Sequence, residues 1–218
     1  MTMAKSTRAL WTQKIVDGEV KTVSRGAVWT FETAKAKSGP TRGEKLKADR
    51  AERNLRGRQM TGVVLGIDPS LRGTGLAAIE SLPDGTLRYI DSLTVRNEPK
   101  LSMAQCLARI LEETDAIIAR TNPVCVAIEK SIYVQNFKTA LILGSSRGAA
   151  IAAVAHRGLE VFEYPPLRIK QAVIGYGRAS KEQVIKSVAA IVRGANELPN
   201  DEADACGAAI AHIFTHKI

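Results

Sequence analysis

Apolar residues from position 62 onward recur in patterns that predict an α/β domain opening with three strands. Short apolar runs alternate with turn residues, and Pro83-Asp84-Gly85 is typical of a turn between two strands. Residues 124–129 are almost continuously apolar, which is typical of a parallel strand buried on both faces. The predicted strands are 62–68, 74–81, 86–95, 124–129 and 159–164.

Helical spacing of apolar residues marks the segments between and after the later strands. The first such segment is amphipathic and stops before Asn122-Pro123. Ser180 is a predicted N-cap, because Gln183 occupies the matching capping-box position. The order of elements predicts a ribonuclease-H-like α/β fold, with a five-stranded mixed sheet flanked by helices. The predicted helices are Leu101–Arg120, Phe137–His156, Pro165–Ile174, Ser180–Val192 and Asp201–His216.

Residues 1–60 have a different pattern. Lys14–Val23 predicts a small hairpin around Asp17-Gly18, whereas Glu44–Arg58 is dense in charge and almost free of apolar residues. We therefore predict a basic, poorly ordered extension followed by a folded domain at 61–218. The extension is a disordered tail, the consequence of a start codon assigned too early, or a segment that contacts DNA.

Composition favours one well-packed domain with an appendage. The chain has 218 residues, of which 45% are hydrophobic. It has no apolar run of about 18 residues and no apolar signal core near its start, so we expect a cytoplasmic protein without a membrane partner. The three cysteines lack CxxC spacing, which indicates buried thiols rather than a zinc site or disulfides: Cys106, Cys125 and Cys206.

The net charge of +9 is distributed unevenly along the chain. Residues 1–60 hold 14 Lys and Arg against 6 Asp and Glu, whereas residues 61–218 hold 17 against 16. A basic protein favours a polyanionic partner such as nucleic acid. Because most of the excess lies in the extension, net charge is weak evidence about the folded domain.

Two predicted strands end in a carboxylate. Asp68 directly follows the apolar run Val63–Ile67, and Glu129 follows Val124–Ile128. If these strands are parallel neighbours, both side chains leave the sheet at the edge where α/β proteins usually place their sites. A carboxylate at the end of a buried strand is costly unless its charge is compensated, and a divalent cation would compensate it.

A second acidic pair begins the last predicted helix. Asp201 and Asp204 are three residues apart and therefore share a helix face. If they join Asp68 and Glu129, the four carboxylates repel one another and raise at least one pKa. Two divalent cations about 3.5–4 Å apart would relieve the repulsion and suit an in-line phosphoryl displacement. Oxygen-only ligands favour Mg²⁺ or Mn²⁺ over zinc, so the pattern predicts a metal-dependent nuclease.

Simpler interpretations of these residues are open at this point. The first carboxylate could begin a turn with Pro69, and the last two could belong to an ordinary acidic helix start. Glu129 could form an ion pair with Lys130 or Arg147. The histidines are interpreted as surface or packing residues, although the second could lie behind the site: His156, His212 and His216.

Residues 61–218 resemble the bacterial RuvC Holliday junction resolvases over essentially the whole domain. The resemblance implies a homodimer that binds a four-way DNA junction and cuts two opposing strands symmetrically in recombination and repair, with a RuvA–RuvB branch-migration complex as a further partner. It assigns the catalytic, metal-binding positions to the four carboxylates, with two Mg²⁺ or Mn²⁺ ions per site. The matching pieces are Leu65–Ser70 with Thr74-Gly75, Ala127–Glu129, Ala140–Gly148, Val161–Tyr164, Lys170–Gly175 and Asp201–Ala205.

The resemblance also suggests residues that contact DNA. It places Lys170 and Lys181 where the family has basic residues near the cleaved strand, and Arg147 is a further candidate. The family often has an aromatic residue three positions after the glutamate, which stacks on unpaired bases at the junction centre. Here that position is Ile132, with Tyr133 beside it, so either an apolar wedge or a stacking ring is expected.

Three other functions compete with a junction-cutting nuclease. A catalytically inactive junction-binding protein would not need the complete carboxylate set. A sugar-kinase or actin-like ATPase also opens with a glycine-rich strand containing an aspartate, but it needs two phosphate-binding loops and a longer chain. A YqgF-type RNA-processing nuclease would share the site, but Glu163–Gln171 fits the RuvC pattern better.

Overall fold

The computed structural model describes residues 20–25, 28–33, 60–130, 136–175 and 180–216. The chain divides into two compact units, Met1–Arg53 and Asn54–Ile218. None of the described helices is long and apolar enough to cross a membrane.

A β-hairpin lies in the first unit. Val20–Arg25 (β1) pairs antiparallel with Val28–Thr33 (β2), with Arg25 opposite Val28. Asp17 and Gly18, the turn of the predicted hairpin, lie outside the described residues. The strand that begins with the alternating run Val28-Trp-Thr-Phe was not predicted from the sequence. The predicted charged segment Glu44–Arg58 lies outside the described residues.

The second unit contains six strands and five helices in its described residues. Its sheet has the order β7-β6-β3-β4-β5-β8, in which β3 is antiparallel to β4 and parallel to β6. The elements are β3 (Gly62–Asp68), β4 (Gly73–Ser81), β5 (Leu87–Arg96), α1 (Met103–Thr121), β6 (Cys125–Glu129), α2 (Phe137–His156), β7 (Val161–Tyr164), α3 (Pro166–Ile174), α4 (Lys181–Ile191), β8 (Val192–Arg193) and α5 (Asn200–Thr215).

The predicted ribonuclease-H-like α/β fold is confirmed, with one more strand than expected. The extra strand, β8, has two residues and pairs parallel with β5 at Leu87 and Arg88. Two residues are too few to show a period, so the sequence pattern placed Val192 at the end of a helix instead. Both predicted boundaries around α1 and α4 hold: Asn122 ends α1 in a left-handed conformation, and Ser180 caps α4 in a capping box.

Alternation along the central strands separates two hydrophobic cores. Leu65 and Ile67 of β3 pack in one core with residues of α1 and α2. Val64 packs in the other core with residues of α3, α4 and α5. Because successive strand residues point to opposite faces, Gly66 and Asp68 share the face of Val64. The three cysteines are buried and free, which confirms their predicted role.

Helix α5 lies directly on the middle of the sheet because two glycines leave room for it. A Cβ at Gly66 would collide with the backbone carbonyl of Ala205, and one at Gly75 would collide with that of Asp201. Small residues of α5 bury this contact, including Ala208 and Ala209. The close seat brings the first turn of α5 to the edge of the sheet at which β3 ends.

Candidate active site

Strand register places two of the predicted carboxylates side by side. Ile67 of β3 is the partner of Ile128 in the parallel strand β6, so the next residue on each strand is Asp68 and Glu129. Asp68 and Glu129 also follow the two-residue alternation onto the face covered by α5. Both therefore leave the same edge of the sheet on the same side, as the sequence predicted.

The other two predicted carboxylates reach this edge from α5. Asp201 and Asp204 lie in or next to its first turn, and the backbone carbonyl of Asp201 rests on Gly75, the cross-strand partner of Asp68. Lys181, at the start of α4, places its Nζ 3.6 Å from Oδ2 of Asp204. Sheet and helix thus bring together all four carboxylates, which come from three elements distant in sequence.

Burial and neighbouring charges change the protonation of three carboxylates in this cluster, namely Asp68, Glu129 and Asp204. Burial raises the pKa of Asp68 to about 7, and the negative charges of Glu129, Asp204 and Asp201 add to the increase, while Lys181 opposes it. Burial and Asp204 also raise the pKa of Glu129. Burial raises the pKa of Asp204, although the positive charge of the neighbouring Lys181 lowers it in part. Lysines therefore compensate the negative charge of the cluster only in part, and a bound cation would favour its ionised form.

The chemistry of this cluster fits a hard divalent cation. All four side chains offer carboxylate oxygens, the ligands that Mg²⁺ and Mn²⁺ prefer. Within the described ranges, no three His, Cys, Asp or Glu side chains are arranged so that they could hold a metal ion. Binding would therefore require the carboxylate side chains to turn towards a shared ion, whose positive charge would offset their mutual repulsion.

The loop after Asp68 is held in place by hydrogen bonds. The Thr74 hydroxyl donates to the Ser70 carbonyl over 2.5 Å and accepts from the Ser70 N–H over 3.2 Å. Asn97 Nδ2 donates to the Leu71 carbonyl over 2.8 Å. These hydrogen bonds brace the loop that leads from Asp68 to β4, on the carboxyl side of Asp68. Sequence analysis did not identify these bracing residues, which belong to separate segments.

The predicted DNA-contacting residues have different surroundings. Lys170 and Lys181 lie close enough to the cluster to lower the pKa of Glu129, and the Lys181 side chain is 67% exposed. The Arg147 side chain is only 18% exposed and places Nη2 2.6 Å from Oε1 of Glu163. Arg147 is thus paired with Glu163 rather than with Glu129. Ile132 and Tyr133 lie outside the described residues.

His212 lies at the far end of α5 and is fully buried. Its Nε2 is 3.2 Å from Cys125 Sγ, and its Nδ1 is 2.8 Å from the Tyr164 hydroxyl. The ring also packs against Phe162 and His216, with centroid distances of 4.4 Å and 4.6 Å. Burial, assisted by His216, lowers its pKa to about 4. His212 is therefore a packing residue, as expected.

Comparison with known sequences identifies one family. The family model described as "Crossover junction endodeoxyribonuclease RuvC" matches residues 64–212. A protein of that name from Janthinobacterium is 43% identical over 152 residues, covering 70% of this chain and 83% of the relative. Another, from Cupriavidus metallidurans, is 40% identical over 149 residues, covering 68% and 82%.

Solved structures give the same result. The structure titled "T. thermophilus RuvC in complex with Holliday junction substrate" matches with a TM-score of 0.65 and 30% identity, covering 70% of this chain and 93% of that one. The yeast mitochondrial Holliday junction resolvase matches with a TM-score of 0.55 and 13% identity, which supports the fold alone.

Proposed function

The chain belongs to the RuvC family of crossover junction endodeoxyribonucleases, and on this premise we propose that it cuts four-way DNA junctions in recombination and repair. The observation that carries the proposal is the convergence of Asp68, Glu129, Asp201 and Asp204 at one edge of the sheet, where burial and mutual repulsion raise the pKa of Asp68 to about 7. An isolated turn or acidic helix start would not unite four carboxylates from three elements. The boundary of the nuclease domain is proposed to be residues 61–218.

We propose that the four carboxylates hold two Mg²⁺ ions, or Mn²⁺ in their place. When bound, such a pair lowers the pKa of the attacking water and stabilises the leaving 3′-oxygen of an in-line displacement. The protein's contribution is placement: Asp68 and Glu129 are fixed by strand pairing, and Asp201 and Asp204 by the seat of α5. No Ser, Cys or His nucleophile is required.

DNA contacts near the cleaved strand are proposed for Lys170 and Lys181, because both lie beside the carboxylates and carry the opposite charge. Phosphate contacts of this kind position the duplex without reading its sequence. Arg147 would act indirectly, since its side chain is largely buried and paired with Glu163. Tyr133 or Ile132 remains the proposed contact to unpaired bases at the junction centre.

The proposal is tested with a synthetic four-way junction in Mg²⁺. The expected products are symmetric nicks in two opposing strands that DNA ligase can reseal. Asp68→Asn serves as the control, because it removes a carboxylate and keeps the shape of the side chain. A wild-type protein that binds the junction without cutting it would establish the inactive alternative, and preferential cutting of structured RNA would establish the RNA-processing one.

A homodimer is proposed because α2 presents an exposed apolar face. The Phe137 side chain is 82% exposed and that of Leu141 56% exposed. Gly144 and Gly148 follow at helical spacing, and no described atom lies within 4 Å of where their Cβ atoms would be. An apolar face without large side chains at these two positions suits close packing against a second copy.

The dimer is tested by light scattering after gel filtration. Leu141→Arg is expected to convert a dimer to a monomer. Leu111→Arg is the matched control, because Leu111 is similarly exposed, at 41%, on α1. A dimer that survives the Leu141 substitution would exclude this face as the interface.

The extension at 1–60 is proposed to bind DNA, because it carries most of the net positive charge. If it does, deleting residues 1–59 should make the slope of log affinity against log salt shallower, by about one for each phosphate that the extension neutralises. An unchanged slope would show that the extension does not bind DNA.

A RuvA–RuvB complex is the proposed protein partner. The cytoplasm, where buried thiols remain reduced, is the proposed location.

A further inference from the structure

A third carboxylate in the first turn of α5 makes contacts unlike those of its neighbours. Glu202 lies between Asp201 and Asp204 in sequence, but its side chain points to β5. Its Oε1 accepts a hydrogen bond from the Thr94 hydroxyl over 3.0 Å, and its Oε2 accepts one from the Ser92 hydroxyl. Ser92 Oγ lies 3.0 Å from the Tyr89 hydroxyl. Two hydroxyl groups of β5 therefore hold the Glu202 carboxylate, and a third, that of Tyr89, lies next to one of them.

The contact between Glu202 and β5 lies two strands away from Asp68, a ligand of the proposed metal site. Thr94 is the cross-strand partner of Gly75, and Gly75 is the partner of Asp68. Asp68, Gly75 and Thr94 thus form one line across three strands, and α5 crosses this line at Gly75. Glu202 holds the helix at the Thr94 end of this line. At the other end, the negative charge of Asp204 raises the pKa of Asp68.

Because Glu202 is on the same helix as Asp201 and Asp204, its contact with β5 also affects the directions in which these two side chains leave the helix. Consecutive residues of an α-helix are rotated by about 100° around its axis. Fixing the direction of Glu202 therefore fixes the directions of Asp201 and Asp204. A small rotation of α5 about its axis would move both aspartates relative to Asp68 and Glu129, which are held by the sheet.

The start of α5 lacks the side-chain capping hydrogen bond that α1 and α4 have. Ser102 and Ser180 close capping boxes at the starts of α1 and α4. The N-cap of α5 is Pro199, which makes no side-chain capping hydrogen bond. The hydrogen bonds of Glu202 to β5 are therefore side-chain contacts that help to locate this first turn, together with the seat of Asp201 on Gly75.

We propose that Glu202, through Thr94 and Ser92, is a positioning residue that sets the placement of Asp201 and Asp204 for metal binding. This inference rests on the proposed metal site. Glu202 itself does not contact the metal or the DNA. Its contribution comes from the two hydrogen bonds that it accepts, rather than from its negative charge.

The test compares Glu202→Ala with Glu202→Gln in the full chain. Mn²⁺ affinity is measured by calorimetry without DNA, Mg²⁺ dependence by junction cleavage, and junction affinity in EDTA. The alanine variant is expected to weaken Mn²⁺ binding and raise the half-saturating Mg²⁺ concentration, each roughly tenfold, as for other residues that orient metal ligands. The glutamine variant should remain within about twofold of wild type, because its amide oxygen accepts from Thr94 and its NH₂ donates to Ser92. Junction affinity in EDTA should not change.

Thr94→Val provides a second route to the same contact, because it removes a hydroxyl and nearly preserves the side-chain shape. It should reproduce part of the defect, and adding it to Glu202→Ala should cause little further decrease in Mn²⁺ affinity, since the two residues share one interaction. Thr94→Val also keeps the inference testable if the alanine variant does not fold. Glu80→Ala is the matched control, because Glu80 is also a strand-paired carboxylate, bonded to Arg88 across β4 and β5.

Failure of this inference differs from failure of the metal site. Asp204→Asn should abolish Mn²⁺ binding, and normal binding in that variant would overturn the proposed metal site itself. If Asp204→Asn abolishes Mn²⁺ binding while Glu202→Ala keeps it, the positioning role is wrong and the metal site stands. A glutamine variant that is as defective as alanine would show that charge, not hydrogen bonding, is what Glu202 contributes.

Discussion

The two ends of α5 differ in how completely their buried polar groups are paired. At the start of the helix, Asp201 and Asp204 meet Asp68 and Glu129, and their negative charges are compensated only in part, by lysines. At the other end, His212 is fully buried with a polar partner at each ring nitrogen. The same helix therefore carries one polar cluster whose charge is only partly compensated and one in which both ring nitrogens have a polar partner.

Burial disfavours the charged form at both ends, with different consequences. It raises the pKa of Asp68 to about 7 and lowers that of His212 to about 4. Neutral imidazole can satisfy Cys125 and Tyr164, so the far end gains stability from the neutral state. Carboxylates that bind a cation must be ionised, so the site end bears an electrostatic cost in the metal-free protein. The contrast separates the end of α5 whose polar groups stabilise the fold from the end that carries the proposed metal ligands.

The largest expected effect comes from replacing the central carboxylate. Asp68→Asn should reduce junction cleavage by at least about a thousandfold, equivalent to about 4 kcal/mol of transition-state stabilisation, because it removes a proposed metal ligand. Junction binding in EDTA should be retained. Single-turnover cleavage and a binding titration measure the two quantities, and wild-type cleavage by this variant would refute the metal assignment.

A change at the other end should affect stability instead of chemistry. His212→Ala should lower the free energy of unfolding by roughly 2–4 kcal/mol, because it opens a cavity and leaves Tyr164 and Cys125 without their partner. Below its melting temperature, the variant should cleave at nearly the wild-type rate. Denaturant unfolding gives the stability, with the exposed His156→Ala as control. Loss of cleavage in a folded His212→Ala protein would show that the two ends are coupled.

Divalent metal should stabilise only the site end. At pH 8, where the Asp68 carboxyl is largely ionised, Mg²⁺ at about a hundredfold excess over its Kd should add about 2.7 kcal/mol to the free energy of unfolding. The increase should vanish in Asp68→Asn and persist in His212→Ala. Thermal unfolding with Mg²⁺ and with EDTA measures it. Equal stabilisation of wild type and Asp68→Asn would place the bound metal elsewhere.

The smallest expected effect is a pH dependence that belongs to the far end. Because the folded-state pKa of His212 is about 4, below the ordinary value of 6.5, the unfolded chain binds a proton that the folded protein excludes. The stability from this residue is complete above pH 6.5 and is lost as the pH falls towards 4. Lowering the pH from 7 to 5 should cost wild type about 1–2 kcal/mol more than His212→Gln. Parallel losses in both proteins would contradict the depressed pKa.

Local patterns in the sequence were sufficient to find the carboxylates but not their supports. Asp68 and Glu129 follow apolar runs, and each run shows by itself that a buried strand ends in a charge. The direction of Glu202 depends on Ser92 and Thr94, which lie more than 100 residues earlier. No local period encodes that partner, so Glu202 was indistinguishable from an ordinary acidic helix start.

The fold shows the same limit. Long strands and helices were located by their periodicity, whereas β8 has two residues and exists only because β5 offers a partner. The seat of α5 on Gly66 and Gly75 was also not foreseen, because a glycine in a strand does not reveal which helix will approach it. Most long elements were therefore predictable from their periodicity, whereas the contacts of β8 and α5 with the sheet, which depend on distant segments, were not.

The seat of α5 has a consequence for the newly synthesised protein. Asp201 and Asp204 follow Asp68 by more than 130 residues, so a ribosome makes the two strand carboxylates long before the helix that completes the cluster. A nascent or partly folded chain in which β3, β4 and β6 have paired holds Asp68 and Glu129 alone. Docking of α5 joins segments more than 130 residues apart, and long-range contacts of this kind slow folding. If the four carboxylates form the proposed nuclease site, a chain in which α5 has not docked would hold only half of them and could not cut DNA.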